Sequence, residues 1–179
     1  MTRYDEICAA FRENLPRKLA LSKAIEELPL RLRNAVEAEL NPPRGATVFL
    51  SGMYERDIPF VYLARPIRDE HGKEKYIPCS PEDALFRDND GVLHFGLGLA
   101  IEAPSMGPYM IHWLVALEGI TQDVFTLKIV GAPGTIETKV GDCGSYTIAA
   151  KKIGEWMLAY QSDAFAALGD KAPAGFRGV

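Results

Sequence analysis

Residues 92–140 limit the fold most, because apolar and polar side chains alternate there along segments joined by very short connections. Val92–Ala103, Tyr109–Glu118 and Asp123–Val130 read as long strands, and Thr135–Val140 as a shorter one. Their links are Pro104–Pro108, Gly119–Gln122 and Gly131–Gly134. A parallel pair needs a crossover of about a dozen residues or more, which none of these links can supply. The strands must therefore pair antiparallel, as a meander.

The alternation gives this sheet two unlike faces. Leu93, Phe95, Leu97, Leu99 and Ile101 point one way, joined by Ile111, Trp113, Val115 and Leu117 and by Phe125, Leu127 and Ile129. That face is the expected main core. The other carries His94, Gly96, Gly98, Ala100 and Glu102, then Met110, His112, Leu114, Ala116 and Glu118, then Gln122, Val124, Thr126 and Lys128. A hairpin turning near Met106 would set His94 opposite Glu118 and Ala100 opposite His112, whereas a one-residue slip would exchange the faces.

Helical periods flank the meander, so the expected class is α+β. Thr2 and Asp5 have the spacing of a capping box, and Tyr4, Ile7, Cys8, Phe11 and Leu15 recur at helical steps. Pro16 is expected to end that helix. Ser22 would cap a second one carrying Ile25 and Leu28; Pro29, a residue suited to a helix's first turn, either kinks one helix there or separates two, and Leu32, Val36 and Leu40 extend the stripe to Asn41-Pro42-Pro43. These N-terminal helices occupy about 3–40. Between them and the meander, Ala46–Ser51, Ile58–Ile67 and Glu74–Ile77 read as strands, the second an edge strand because of Pro59 and Pro66. Ser80-Pro81-Glu82-Asp83 reads as a capped helical turn, and Asp69–Gly72 and Arg87–Gly91 as turns. A long helix over 145–168 shows one broad apolar face, including Tyr146, Ala149, Ala150, Ile153, Trp156 and Met157. Residues 1–170 are read as a single domain and 171–179 as a flexible tail.

A chain of 179 residues can bury a core without disulfide or metal staples. Its net charge of −4, with basic residues interleaved among Glu26, Glu27, Glu37 and Glu39, offers no positive face for nucleic acid. The longest apolar run, Met110–Leu117, is interrupted by His112 and falls well short of the roughly 20 residues that cross a bilayer. Three unclustered cysteines, Cys8, Cys79 and Cys143, argue against a disulfide framework, with Cys8 placed in the core. No membrane partner is expected, and the default compartment is the cytoplasm.

Two features bear on function. Glycines at alternate positions of one strand fill no space, so Gly96 and Gly98 imply a close approach by something. They suit a helix, a second subunit, or a ligand held on a surface walled by His94, His112, Glu102 and Glu118, with Lys128 nearby. The second feature is Gly141-Asp142-Cys143-Gly144-Ser145, which places a thiol at the start of the last helix, where free N–H groups favour a thiolate. His94 or His112 could act as its base, oriented by Asp142 or Glu118. The rival role for this segment is a helix cap by Asp142 or Ser145. In outline the segment resembles NlpC-type cysteine hydrolases, which set an Asp-Cys pair at a helix start beside an antiparallel sheet bearing a histidine. In that family the histidine follows the cysteine, whereas here His112 is the last one, so the resemblance implies a permuted order.

The sequence carries no phosphate loop and no closely spaced metal ligands, and no cofactor is expected. It reads first as a binding protein that presents the Gly/His/Glu face to a small molecule, a protein partner or its own copy. The alternative is a thiol-dependent hydrolase or transferase built on Cys143.

Overall fold

A computed structural model describes residues 2–42, 47–50, 56–68, 70–103, 107–121, 123–166 and 177–178. In chain order they form α1 (Arg3–Leu40), β1 (Thr47–Leu50), β2 (Arg56–Pro59), β3 (Val61–Arg68), β4 (Glu74–Pro78), α2 (Pro81–Ala84) and β5 (Phe86–Arg87). There follow β6 (Leu93–Ala103), β7 (Gly107–Ile120), β8 (Val124–Ile129), β9 (Ile136–Lys139), α3 (Cys143–Ala166) and β10 (Arg177–Gly178). The class is α+β. The main sheet runs β4-β3-β6-β7-β8-β9 with every pair antiparallel, and it contains the expected meander as β6 to β9. β5 adds to β6, β10 adds to β7, and β1 with β2 forms a separate ribbon.

The β6–β7 register differs from the expectation by two residues: Gly98 faces His112, and His94 faces Ala116. An even slip leaves every side chain on its own face. Phe95, Leu97, Trp113 and Phe125 are accordingly fully buried, with Ile111, Val115, Leu117, Leu127 and Ile129 nearly so. The C-terminal half of α1 covers them through Leu28, Leu32 and Val36, and α3 through Tyr146, Ala149, Ala150, Ile153 and Met157. Pro66 is paired to β4 alone, beyond the stretch of β3 that meets β6. A missing N–H therefore costs no ladder bond on the β6 side, although β3 as a whole is an inner strand.

The N-terminal region departs from the reading as two helices. α1 is one helix of 38 residues that passes through both Pro16 and Pro29. Each proline removes one donor from the ladder, and the rest of a long helix, supported by packing, carries the gap. Thr2 makes the expected capping box with Asp5, and Asn41 closes the helix in the left-handed region at φ 46°. Arg33 ties the packed half to the sheet by donating from Nε to the Val61 carbonyl at 2.8 Å. Upstream of Leu21, the first residue of α1 packed on the core, the apolar stripe faces outward. Cys8, expected in the core, is only half-buried on this part of the helix.

α3 starts at Cys143, two residues earlier than expected; the expected end at Leu168 lies outside the described residues. Of the expected loose tail, residues 171–176 and 179 also lie outside them, while Arg177 and Gly178 pair with His112 and Ile111 of β7.

This division of α1 has an energetic counterpart. Leu32→Ala opens a cavity beneath α1 and is expected to cost about 2–5 kcal/mol. Leu19→Ala on the outward half is expected to change stability by less than about 0.5 kcal/mol. Urea denaturation of the two variants checks the contrast.

Candidate functional site

The face with the histidines and glycines is itself a small core rather than an open floor. Ile58, Phe60, Tyr62, Ala64 and Ala100 are buried together there, with Tyr76 and Met110 packed against them. β3 brings Tyr62 alongside Gly98 and Ala64 alongside Gly96. A Cβ on Gly98 would come within 2.2 Å of the Tyr62 ring, and one on Gly96 within 2.5 Å of the Ala64 carbonyl oxygen. The close approach that the glycines implied is made by the chain's own β3. The Tyr62 ring occupies the space where a ligand would rest on Gly98.

The two histidines sit in separate settings. His112 is 4% exposed; its Nε2 lies 2.6 Å from the Tyr62 hydroxyl, and its ring stacks on Tyr76 at 5.0 Å. Burial pushes His112 down to about 4 and raises the Tyr62 phenol, so both are neutral at physiological pH. Its Nδ1 has no hydrogen-bond partner among the described residues. His94 bonds through Nε2 to Asp88 Oδ2 at 2.8 Å and stacks on Phe86. This bond from His94 is the main reason that the Asp88 carboxyl lies below its ordinary value. Asp88 also accepts the N–H groups of Asp90 and Val92, which shapes the turn into β6. The register sets the two rings four positions apart along adjacent strands, about 13 Å in strand rise.

The remaining expected site residues disperse. Glu118 lies beside a β-bulge between Leu117 and Gly119 and forms an exposed ion pair with Lys128 across β7 and β8 at 3.1 Å. It does not orient His94, which Ala116 faces instead. The backbone of Glu102 pairs with Pro108 near the turn; its side chain lies outside the described residues. Cys143 is exposed in the first turn of α3. Asp142 Oδ1 caps that turn by accepting the Gly144 N–H at 2.9 Å, and Ser145 Oγ accepts the Lys139 N–H at 2.9 Å. α3 packs on the odd-numbered face, whereas both imidazoles belong to the even-numbered one. The sheet therefore stands between the thiol and either base, and this arrangement forms no nucleophile–base pair. Among the described residues no three His, Cys, Asp or Glu side chains converge as metal ligands. No helix among them is long and apolar enough to cross a membrane.

Tyr62, Tyr76 and Asp88 are the partners that the sequence reading missed. The signal for Tyr62 was indirect: a strand glycine needs a large neighbour over it, and an aromatic side chain on the adjacent strand is the usual solution.

Among the described residues, the outward half of α1 exposes more large apolar side chains than any other element, with Ile148 and Leu158 of α3 and Ile120 of β7 exposed singly elsewhere. Tyr4 is 73% exposed, Ile7 64%, Phe11 56% and Leu19 61%, all on one helix. A cleft of about 680 Å³ lies between this half and the body, lined by Phe11, Asn14, Arg17 and Leu21 on α1 and by Asp123 and Val140 opposite. Lys18 Nζ stands 5.9 Å from the centre of the Phe11 ring. Searches against protein-family models, curated proteins and solved structures find no match for this chain.

The covered sheet face makes two outcomes measurable. Gly98→Ala forces the Tyr62 ring aside and is expected to destabilise the fold by about 1–3 kcal/mol, read from its urea midpoint. His112, held below its unfolded value of 6.5, resists protonation in the fold but accepts it in the unfolded chain. Its contribution is complete above pH 6.5 and falls away down to about pH 4. Over that window it should lose on the order of 3 kcal/mol. Urea titrations from pH 7.5 to 4 should show His112→Gln with a shallower acid slope than the parent chain, and equal slopes would refute a buried neutral imidazole.

Proposed function

We propose that this chain is a binding protein that works by protein–protein association, with the α+β body as scaffold and the outward half of α1 as docking arm. The carrying observation is the row of large apolar side chains, Tyr4, Ile7, Phe11 and Leu19, that the chain's own core leaves in solvent. Scattered exposed apolar residues are ordinary, but a contiguous row on one element marks an interaction surface. An isolated helical segment of this length is also marginal in water, so a partner that buried the row would supply the packing on which most helices depend.

The class of function expected from the sequence is retained, and the surface changes. Tyr62 lies over Gly98, and His112 is turned into protein, which leaves the even-numbered sheet face little room for a partner. Hydrogen exchange tests the reading. In the dilute chain, amides of residues 6–19 should exchange far faster than those of residues 24–38, which the core protects. Equal protection along α1 in dilute solution would mean that the body already holds this half, and the docking arm would be lost as an idea.

A further inference from the structure

The outward half of α1 has a pattern that specifies what covers it. Counted in sevens, Ile25, Pro29, Leu32 and Val36 fall at the two core positions of a heptad repeat, and the domain uses them as core. The same phase continues upstream through Leu15, Phe11, Cys8 and Tyr4, interrupted only by Lys18 and Ser22. One seam therefore runs the length of α1. Its C-terminal part meets the sheet and α3; its N-terminal part is unpartnered among the described residues.

Resting on the docking-arm reading, we infer that the occupant is a second copy of this chain, with the two outward halves paired antiparallel about a two-fold axis. In that register Tyr4 packs on the partner's Leu15 and Cys8 on the partner's Phe11, each contact occurring twice. The positions flanking the seam decide the orientation. Asp5 and Arg12 lie on the same flank, one heptad apart, and antiparallel pairing brings each Asp5 beside the partner's Arg12. A parallel pair sets Arg12 beside the partner's Ile7 and gains no charge match. Antiparallel pairing also opposes the two helix dipoles. In this register the capped helix start at Arg3 comes level with the partner's Pro16, short of Leu21, the first residue of the partner's α1 that packs on its core. The free half is about 27 Å long, and the body faces it across the cleft lined by Phe11, Asn14, Arg17, Asp123 and Val140.

Sedimentation velocity of the full chain from micromolar to submillimolar concentration is expected to show a reversible monomer–dimer equilibrium. Phe11→Glu should abolish the dimer while leaving the circular dichroism melt of the body in place. Arg12→Glu sets like charges together twice and should weaken the dimer roughly tenfold. Adding Asp5→Arg to Arg12→Glu restores opposite charges and should recover affinity, even though the capping box is lost. A strict monomer at all concentrations, a dimer that survives Phe11→Glu, or no recovery in the charge-swapped chain overturns the inference. A photoreactive phenylalanine analogue at position 11, in cells expressing the chain, separates this failure from failure of the docking reading. An adduct of twice the chain mass supports the inference. An adduct to a different protein that disappears with Ile7→Glu overturns it and leaves the docking reading standing. The lack of any adduct that depends on the stripe overturns both.

Discussion

Burial on both faces of the β6–β7 pair sets the terms for everything packed around it. On the odd-numbered side Leu97 and Trp113 face each other with no exposure, and half of α1 together with α3 is committed to covering them. On the even-numbered side β3 comes so close that only glycine fits at residues 96 and 98. The sheet centre is thereby sealed by the chain itself. The docking surface proposed above therefore lies elsewhere, on the part of α1 that extends past the core.

The buried His112–Tyr62 pair follows from the same geometry. Tyr62 can lie over Gly98 only if its hydroxyl finds a partner, because an unsatisfied buried hydroxyl is costly. Gly98 and His112 are cross-strand neighbours, so the imidazole stands where the ring of Tyr62 ends. The pair thus serves packing, with both groups neutral. His94 and Asp88 do comparable work at the start of β6, where the carboxylate organises a turn and the imidazole closes over it. Both histidines that suggested catalysis are accounted for by local structure, and Cys143 lies across the sheet from them.

Much of the fold was legible. Alternation over 92–140 gave the strands, their antiparallel sense and the identity of the inner face, and the two-residue error in register left those conclusions intact because the side-chain period is two. The capping box at Thr2 and Asp5, the stop at Asn41 and the turn at Ser80–Asp83 were also readable, since each depends on residues within a few positions of one another. The candidate site was less legible. Glu118 was drawn toward His94 by the assumed register, but the bulge and Lys128 place it elsewhere. Pro16 marks a stop by local rules, yet one missing hydrogen bond does not end a helix whose other turns are intact.

By itself the sequence determined the periodic features: which segments are strand or helix, which residues face inward on the long strands, and how α1 begins and ends. These follow from neighbours in the chain, so local spacing contains them. Only the tertiary structure decided what lies against what: that Tyr62 fills the gap over Gly98, that the sheet separates Cys143 from the imidazoles, and that the core uses just half of one apolar stripe. Contacts between residues distant in sequence depend on how the sheet and helices come together, and no local period records that.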